Sequence, residues 1–208
     1  MAENKPSRSL SVQEMLSLGY VYLLALGILS DAIYYTFFDI DILNYVTLPD
    51  ILLSPINILT HDLRVLLFLS ITIGLLSAYT TVFIPKMHVR FRDHKWYQRF
   101  NNVEKMDQFF AQEKNLNRNL LLTMLPIMFI FLGYALGRGQ KYAERIEDGT
   151  LKPDFELTLV DEDPILVKVI GQTSLFVIYV PEGEKEVHMA PIESNLQTLV
   201  KYEAPEEE

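Results

Sequence analysis

Cysteine is absent from the 208 residues. That excludes a disulfide scaffold and any site built on a thiolate ligand or nucleophile. Histidine is sparse, at four. His88 and His94 are six apart, where a spacing of four would put two rings on one helical face for a metal, and His188 sits alone in a strand-like run. No Ser/His/Asp set and no carboxylate dyad stands out, so no enzyme activity, cofactor or metal is expected. Gly137-Arg138-Gly139 is too short for a phosphate loop and follows an apolar run instead of opening a helix. The acidic groups at 144–148 and 161–163 lack the ligand spacing and central glycine of an EF-hand and read as solvated surface. Charge is missing altogether from residues 65–85 and 119–137, which excludes an all-soluble chain.

Those two runs hold 21 and 19 uncharged residues. About 20 apolar residues cross the hydrocarbon core as a helix, and in lipid only a helix satisfies the backbone within one segment. Both are expected to span. A third run, 15–38, is interrupted by Asp31 and carries aromatic residues toward both ends (Tyr20, Tyr22, Tyr34, Tyr35, Phe37, Phe38), as interfacial belts do. It is expected to be a third span. A secretory signal competes with that reading, but no small-x-small cleavage site precedes the polar stretch. Between the first two spans, residues 39–62 are apolar yet broken by Pro49, Pro55, Asp50 and Asn57. They read as interfacial or re-entrant pieces, with Asp50 as a helix cap and Pro55 as a stop.

Charge sorts by segment. Residues 86–118 carry eight Lys/Arg against four acids, residues 39–64 are net −3, and residues 138–208 are net −9. Placing the polar N-terminus (1–14) and the 86–118 loop in the cytoplasm obeys the positive-inside tendency. Three crossings then put the C-terminal domain outside the cell membrane. The stretch 86–99 follows a span directly and mixes basic with aromatic residues. Arg90, Arg92, Lys95, Trp96 and Arg99 are therefore expected at lipid headgroups. Nucleic acid is not expected, given the overall acidity.

Asp31 is the one ionisable residue inside an expected span, a costly position. The simplest reading pairs it with Arg64, beside a polar cluster of His61 and Asp62. Ser70, Gly74 and Ala78 form a stripe of small residues on the second span, suited to helix–helix packing.

After a connector at 138–153, with helix ends expected at Gly137-Arg138-Gly139 and at Gly149, the period changes to that of strands. Five runs rich in Val, Ile, Leu, Phe and Tyr fall at 155–160, 165–170, 174–180, 186–192 and 196–202, inside a small β-domain at 154–203 that precedes an acidic tail at 204–208. Five short strands bury a core only by curling on themselves. The tight interruption at 191–195 resembles the turn before the last strand in SH3-like and Sm-like barrels. The resemblance covers about a quarter of the chain and concerns fold, not function. So small a core is expected to dock on the membrane helices or on another copy.

The expected fold class is thus an α-helical transmembrane protein of three spans with a small C-terminal all-β domain, a five-stranded SH3/Sm-like barrel. The expected function is a non-enzymatic, membrane-anchored interaction or sensing module. Its β-domain would bind a protein or small ligand, with membrane lipids as further partners and homo-oligomers allowed. The alternative is an oligomeric pore or membrane-perturbing effector gated by the β-domain.

Overall fold

In a computed structural model, residues 11–61, 63–100, 102–103 and 116–202 are described. The expected acidic tail, Asp62, most of the N-terminus and part of the basic loop lie outside them. The chain has a helical N-terminal part and a C-terminal five-stranded antiparallel sheet. It divides into two compact units, Met1–Tyr20 with Ile58–Ile130, and Val21–Asn57 with Phe131–Glu208.

Helix α1 runs Val12–Thr36. Ser11 and Glu14 form a reciprocal cap at its start: the Ser11 amide donates to Glu14 Oε2 at 2.7 Å, and the Glu14 amide to Ser11 Oγ at 3.2 Å. This satisfies amides that a helix start leaves open. At its other end Asp39 takes a left-handed conformation (φ 57). The amides of Asp39 and Ile40 bond back to the carbonyls of Thr36 and Tyr35, closing the helix as a Schellman motif. Among the described residues α1 is the one helix that is by itself long and apolar enough to cross a membrane, and 17% of its apolar window is buried within the chain. Its length and composition suit a span and equally an N-terminal signal sequence.

In the first unit, α3 (Leu63–Ala78) passes through a π-helical turn, Tyr79–Phe83, into α4 (Ile84–Phe91). The Ile84 amide bonds to the carbonyl of Tyr79, five residues back. Such a wide turn suits the position just before Pro85, which has no amide to continue the ordinary ladder. Large apolar side chains point outward along this helix, among them Leu63, Leu67, Phe68, Ile71, Leu75 and Phe83. A short helix, α5 (Lys95–Phe100), folds after α4.

Helix α2 (Leu48–His61), which lies in the second unit as far as Asn57, does not stop at Pro55 as its sequence suggested. The helix continues past the proline, and its cap is Thr47, not Asp50. Helix α6 (Leu116–Glu147) likewise runs through Pro126 and through Gly137-Arg138-Gly139. It ends at Gly149 (φ 66), where the Thr150 amide reaches the Arg145 carbonyl. The expected helix end at 137–139 is therefore absent, and the one at Gly149 is present.

The strands are β1 Phe155–Leu159, β2 Ile165–Gln172, β3 Phe176–Pro181, β4 His188–Pro191 and β5 Leu196–Lys201. Their order is β4-β3-β2-β1-β5, with a helical turn, Ile192–Asn195, joining the two edge strands. Alternation along β3 sends Val177 and Tyr179 to one cluster and Ile178 and Val180 to another. The first cluster draws on all five strands (Leu157, Val167, Val177, Ala190, Leu199). The second joins β2 and β3 to Tyr34, Tyr35, Ile42, Ala135 and Ile146. Residues of α1 and α6 thus cover β2 and β3 on that second side, while Val160 and Val200 stay exposed.

Candidate functional site

Among the described residues, a polar network lies where α1 and α2 meet the sheet, within the second unit. It begins with an irregularity in β2. Val169 pairs with Tyr179 and Gly171 with Ile178, so Ile170 is an extra residue in the ladder. A bulged residue loses its ladder partner and re-aims its groups. Here the Ile170 carbonyl accepts a hydrogen bond from the Tyr34 hydroxyl at 2.8 Å. Beside it the Tyr35 hydroxyl lies against Gly171, where an added Cβ would fall 1.8 Å from that oxygen. Glycine is required there because the ring tip occupies the volume of any side chain. Gly171 and Gln172, expected in a turn, belong to β2.

The turn itself is Thr173–Leu175. Thr173 Oγ1 accepts from the amides of Leu175 and Phe176 at 3.2 and 2.9 Å, a side-chain substitute for a backbone turn. This presents Ser174 to Asp50. The Asp50 carboxylate accepts from the Ser174 amide and hydroxyl at 3.1 and 2.8 Å. It also accepts from the Thr47 amide and hydroxyl at 2.9 and 2.7 Å. One carboxylate in the first turn of α2, where the helix dipole favours an anion, thus clasps the β2–β3 turn. Partial burial pushes the Asp50 carboxyl up. Hydrogen bonds from Thr47 and Ser174 outweigh this, so it lies below the usual carboxylate range.

Helices α1 and α2 meet at Gly27. A Cβ there would lie 2.1 Å from the carbonyl oxygen of Ile51. That carbonyl is the acceptor four residues before Pro55, which has no amide to offer it. Proline on one helix and glycine on the other thus permit a backbone-to-backbone approach. One turn along α1, Asp31 Oδ1 accepts from Ser54 Oγ at 2.5 Å. On α6 the Arg138 guanidinium lies 4.9 Å from the Tyr34 ring centre and 5.6 Å from that of Tyr142. Arg64, the partner expected for Asp31 from sequence, belongs to the other unit. His61 is the last residue of α2, and its expected neighbour Asp62 lies outside the described residues. At the far end of the sheet, Lys185 Nζ donates to the carbonyl of Glu147, the last residue of α6, at 2.6 Å.

The expected lipid-facing residues sit on the α4–α5 hairpin of the first unit. Arg90, Arg92, Lys95, Trp96 and Arg99 are all exposed. The histidine just before them is buried: His88 is 3% exposed and its Nδ1 pairs with the hydroxyl of the buried Tyr97 at 3.1 Å. Ser70, Gly74 and Ala78 are exposed along α3, and a Cβ at Gly74 would meet nothing within 4 Å.

Sequence reasoning missed the Tyr34–Ile170 bond, the Asp50–Ser174 clasp and the Gly27 contact. A signal was present for two of them. Thr47-x-x-Asp50 has the spacing of a capping pair, and Gly27 stands in an apolar run where nothing local calls for glycine. Compared with family models, curated proteins and solved structures, the chain matches none.

Proposed function

We propose that the chain is a small multi-pass membrane protein acting as a non-enzymatic sensing or interaction module, whose sheet domain receives a protein or small ligand and passes the event to the helices. The observation that carries this is the Tyr34–Ile170 bond at the β2 bulge. It makes one hydrophobic core of the end of α1, the end of α6 and the inner strands. A ligand that shifts β2 or β3 must repack that core, because packed interiors do not deform freely.

The same core supports a retained first helix. Cleavage of α1 as a signal would remove Tyr34 and Tyr35, and with them one covered face of the sheet. The other two spans of the proposal are the 65–85 part of the α3–α4 helix and the 119–137 part of α6. Ten Lys/Arg in the N-terminus and the 86–118 loop, against five in the 39–64 loop and the start of the tail, favour a cytoplasmic N-terminus and an external sheet domain. Closure of the sheet into an SH3/Sm-like barrel is supported by the cluster that draws on all five strands and by the single turn between the edge strands. The exposed Ser70-Gly74-Ala78 stripe favours self-association as a second reading, and through it the pore alternative.

Reporter fusions at the C-terminus test the topology: activity of an exported reporter is expected, and activity of a cytoplasmic one overturns the three-span arrangement. Dye-loaded vesicles holding the purified protein separate module from pore. They are expected to retain dye. Leakage abolished by Asp31→Ala overturns the module reading in favour of the pore.

A further inference from the structure

The α4–α5 hairpin is organised beyond what a solvated basic loop needs. Its two helices are locked by the buried His88–Tyr97 pair. Phe91 stacks edge-on to His94, at 5.6 Å between ring centres, and lies 5.8 Å from Trp96. Gln98 Nε2 closes the turn on the Arg92 carbonyl at 3.1 Å. Around this small aromatic core Arg90, Arg92, Lys95 and Arg99 face outward, together with Val89 and Trp96, which are 76% and 53% exposed. A rigid scaffold thus presents four cations and two apolar side chains.

Position adds the second argument. The helix is continuous from α3 through the π turn into α4. Residues 65–85 rise about 31 Å along it, close to the hydrocarbon thickness of a bilayer. The first charge after them is Lys86, and Arg90 lies about 7.5 Å beyond Pro85 by the same rise. That depth is the headgroup layer. Exposed tryptophan beside arginine and lysine is the composition favoured at that level.

We infer that the α4–α5 hairpin is a preassembled docking surface for anionic phospholipid headgroups, with its guanidinium and ammonium groups on the phosphates and Val89 and Trp96 in the interface. Arginine suits this role because its planar fork bonds two phosphate oxygens at once. The His88–Tyr97 lock lowers the conformational cost of ordering the cationic side chains that the hairpin carries. The inference rests on the proposal that residues 65–85 span the bilayer.

Trp96 is the only tryptophan in the chain, so intrinsic fluorescence reports on the hairpin directly. The full-length protein is reconstituted in phosphatidylcholine vesicles with and without phosphatidylglycerol. Phosphatidylglycerol is expected to shift Trp96 emission to shorter wavelength and to reduce quenching by acrylamide, with both effects diminished at high salt. Arg90→Gln, Arg92→Gln, Lys95→Gln and Arg99→Gln together are expected to abolish the response. Lys95→Gln with Arg99→Gln, which leaves α4 intact, is expected to reduce it by about half. Wild-type emission indifferent to phosphatidylglycerol overturns the inference, as does either variant with a full response. Alkaline carbonate washing of native membranes keeps the two readings apart. Release of the protein defeats the spanning proposal and this inference with it, whereas retention with an indifferent Trp96 defeats the hairpin inference alone.

Discussion

Gly27→Ala adds one methyl group to the α1–α2 contact, at a point where the two backbones leave no room for it. The new Cβ would lie 2.1 Å from the Ile51 carbonyl oxygen and 2.9 Å from its Cγ2, where a carbon–oxygen contact settles at about 3.3 Å or more. Helix α2 must therefore retreat by about 1 Å. The Ser54–Asp31 bond, 2.5 Å as it stands, would then reach the limit of hydrogen bonding. Overpacking costs about 1–3 kcal/mol. Stretching a bond to a half-buried carboxylate costs about another 1–3 kcal/mol. The better helix propensity of alanine returns about 0.5–1 kcal/mol. The net loss is about 1–5 kcal/mol, centred on about 3 kcal/mol, which in a chain of this size lowers Tm by about 6–12 °C at the centre of that range. The assay is thermal unfolding of the full-length protein in detergent, with Gly74→Ala beside it as the control. A Cβ at Gly74 meets nothing within 4 Å, so that variant is expected to be neutral or slightly more stable. Ser54→Ala tests the coupling. Since Gly27→Ala already disturbs the Ser54 bond, the double variant is expected to be less destabilised than the sum of the singles, by about 1 kcal/mol. Equal Tm values for Gly27→Ala and Gly74→Ala, or strict additivity with Ser54→Ala, would refute the close approach of the two helices.

Tyr34→Phe keeps the ring but leaves the Ile170 carbonyl without its donor. A loss of about 1–3 kcal/mol is expected, read as faster amide exchange in β2 and β3 with smaller changes elsewhere. The Asp50 clasp gives acid sensitivity. Its carboxyl lies lower in the folded chain than in the unfolded one, so its contribution is intact above the ordinary carboxylate value and drains as pH falls through that value toward the lower folded one. Asp50→Asn is expected to lower stability at neutral pH and to flatten the dependence in that acid window, as followed by Tm against pH. Tyr97→Phe removes the hydroxyl bonded to His88 without touching a charge, and is expected to increase acrylamide quenching of Trp96.

The strands were legible because their chemistry is local. Alternating Val, Ile and Leu between Gly, Pro and Asp turns put all five within a few residues of their places. β3 shows the limit of that signal. Phe176–Val180 is apolar throughout, which in sequence says only that the strand is buried, whereas in the fold it belongs to two separate cores. Helix ends are less legible where the sequence offers proline or glycine as a stop. Pro55 removes a bond to Ile51 but not the helix, because packing against Gly27 uses the exposed carbonyl. Gly137 and Gly139 do not end α6, and at Gly139 the missing side chain makes room for the Phe37 ring. The Ser54 bond to Asp31 was beyond sequence reasoning for a different reason: it depends on which helices lie side by side, and no local pattern encodes that.

These misreadings share a cause that bears on function. Gly27, Pro55, Gly171 and the bulged Ile170 each break a local rule, and each break is matched by a partner distant in sequence: Gly27 with Pro55 through the Ile51 carbonyl, Gly171 with Tyr35, Ile170 with Tyr34. Local departures of this kind persist where the tertiary structure over-determines them. Gly171 and Ile170 fall where β2 meets α1, and Gly27 and Pro55 where α1 meets α2, all within the second unit. The packing of α1 against α2 and against β2 is thus shaped by contact more than by secondary structure. A sheet serving only as a soluble cap on the helix ends would need hydrophobic cover there, which Ile178 and Val180 already supply. The added bond at Tyr34 and the clasp at Asp50 tie the sheet to α1 and α2 by directional bonds as well as by burial, which the proposed passage of a ligand event from sheet to helices requires.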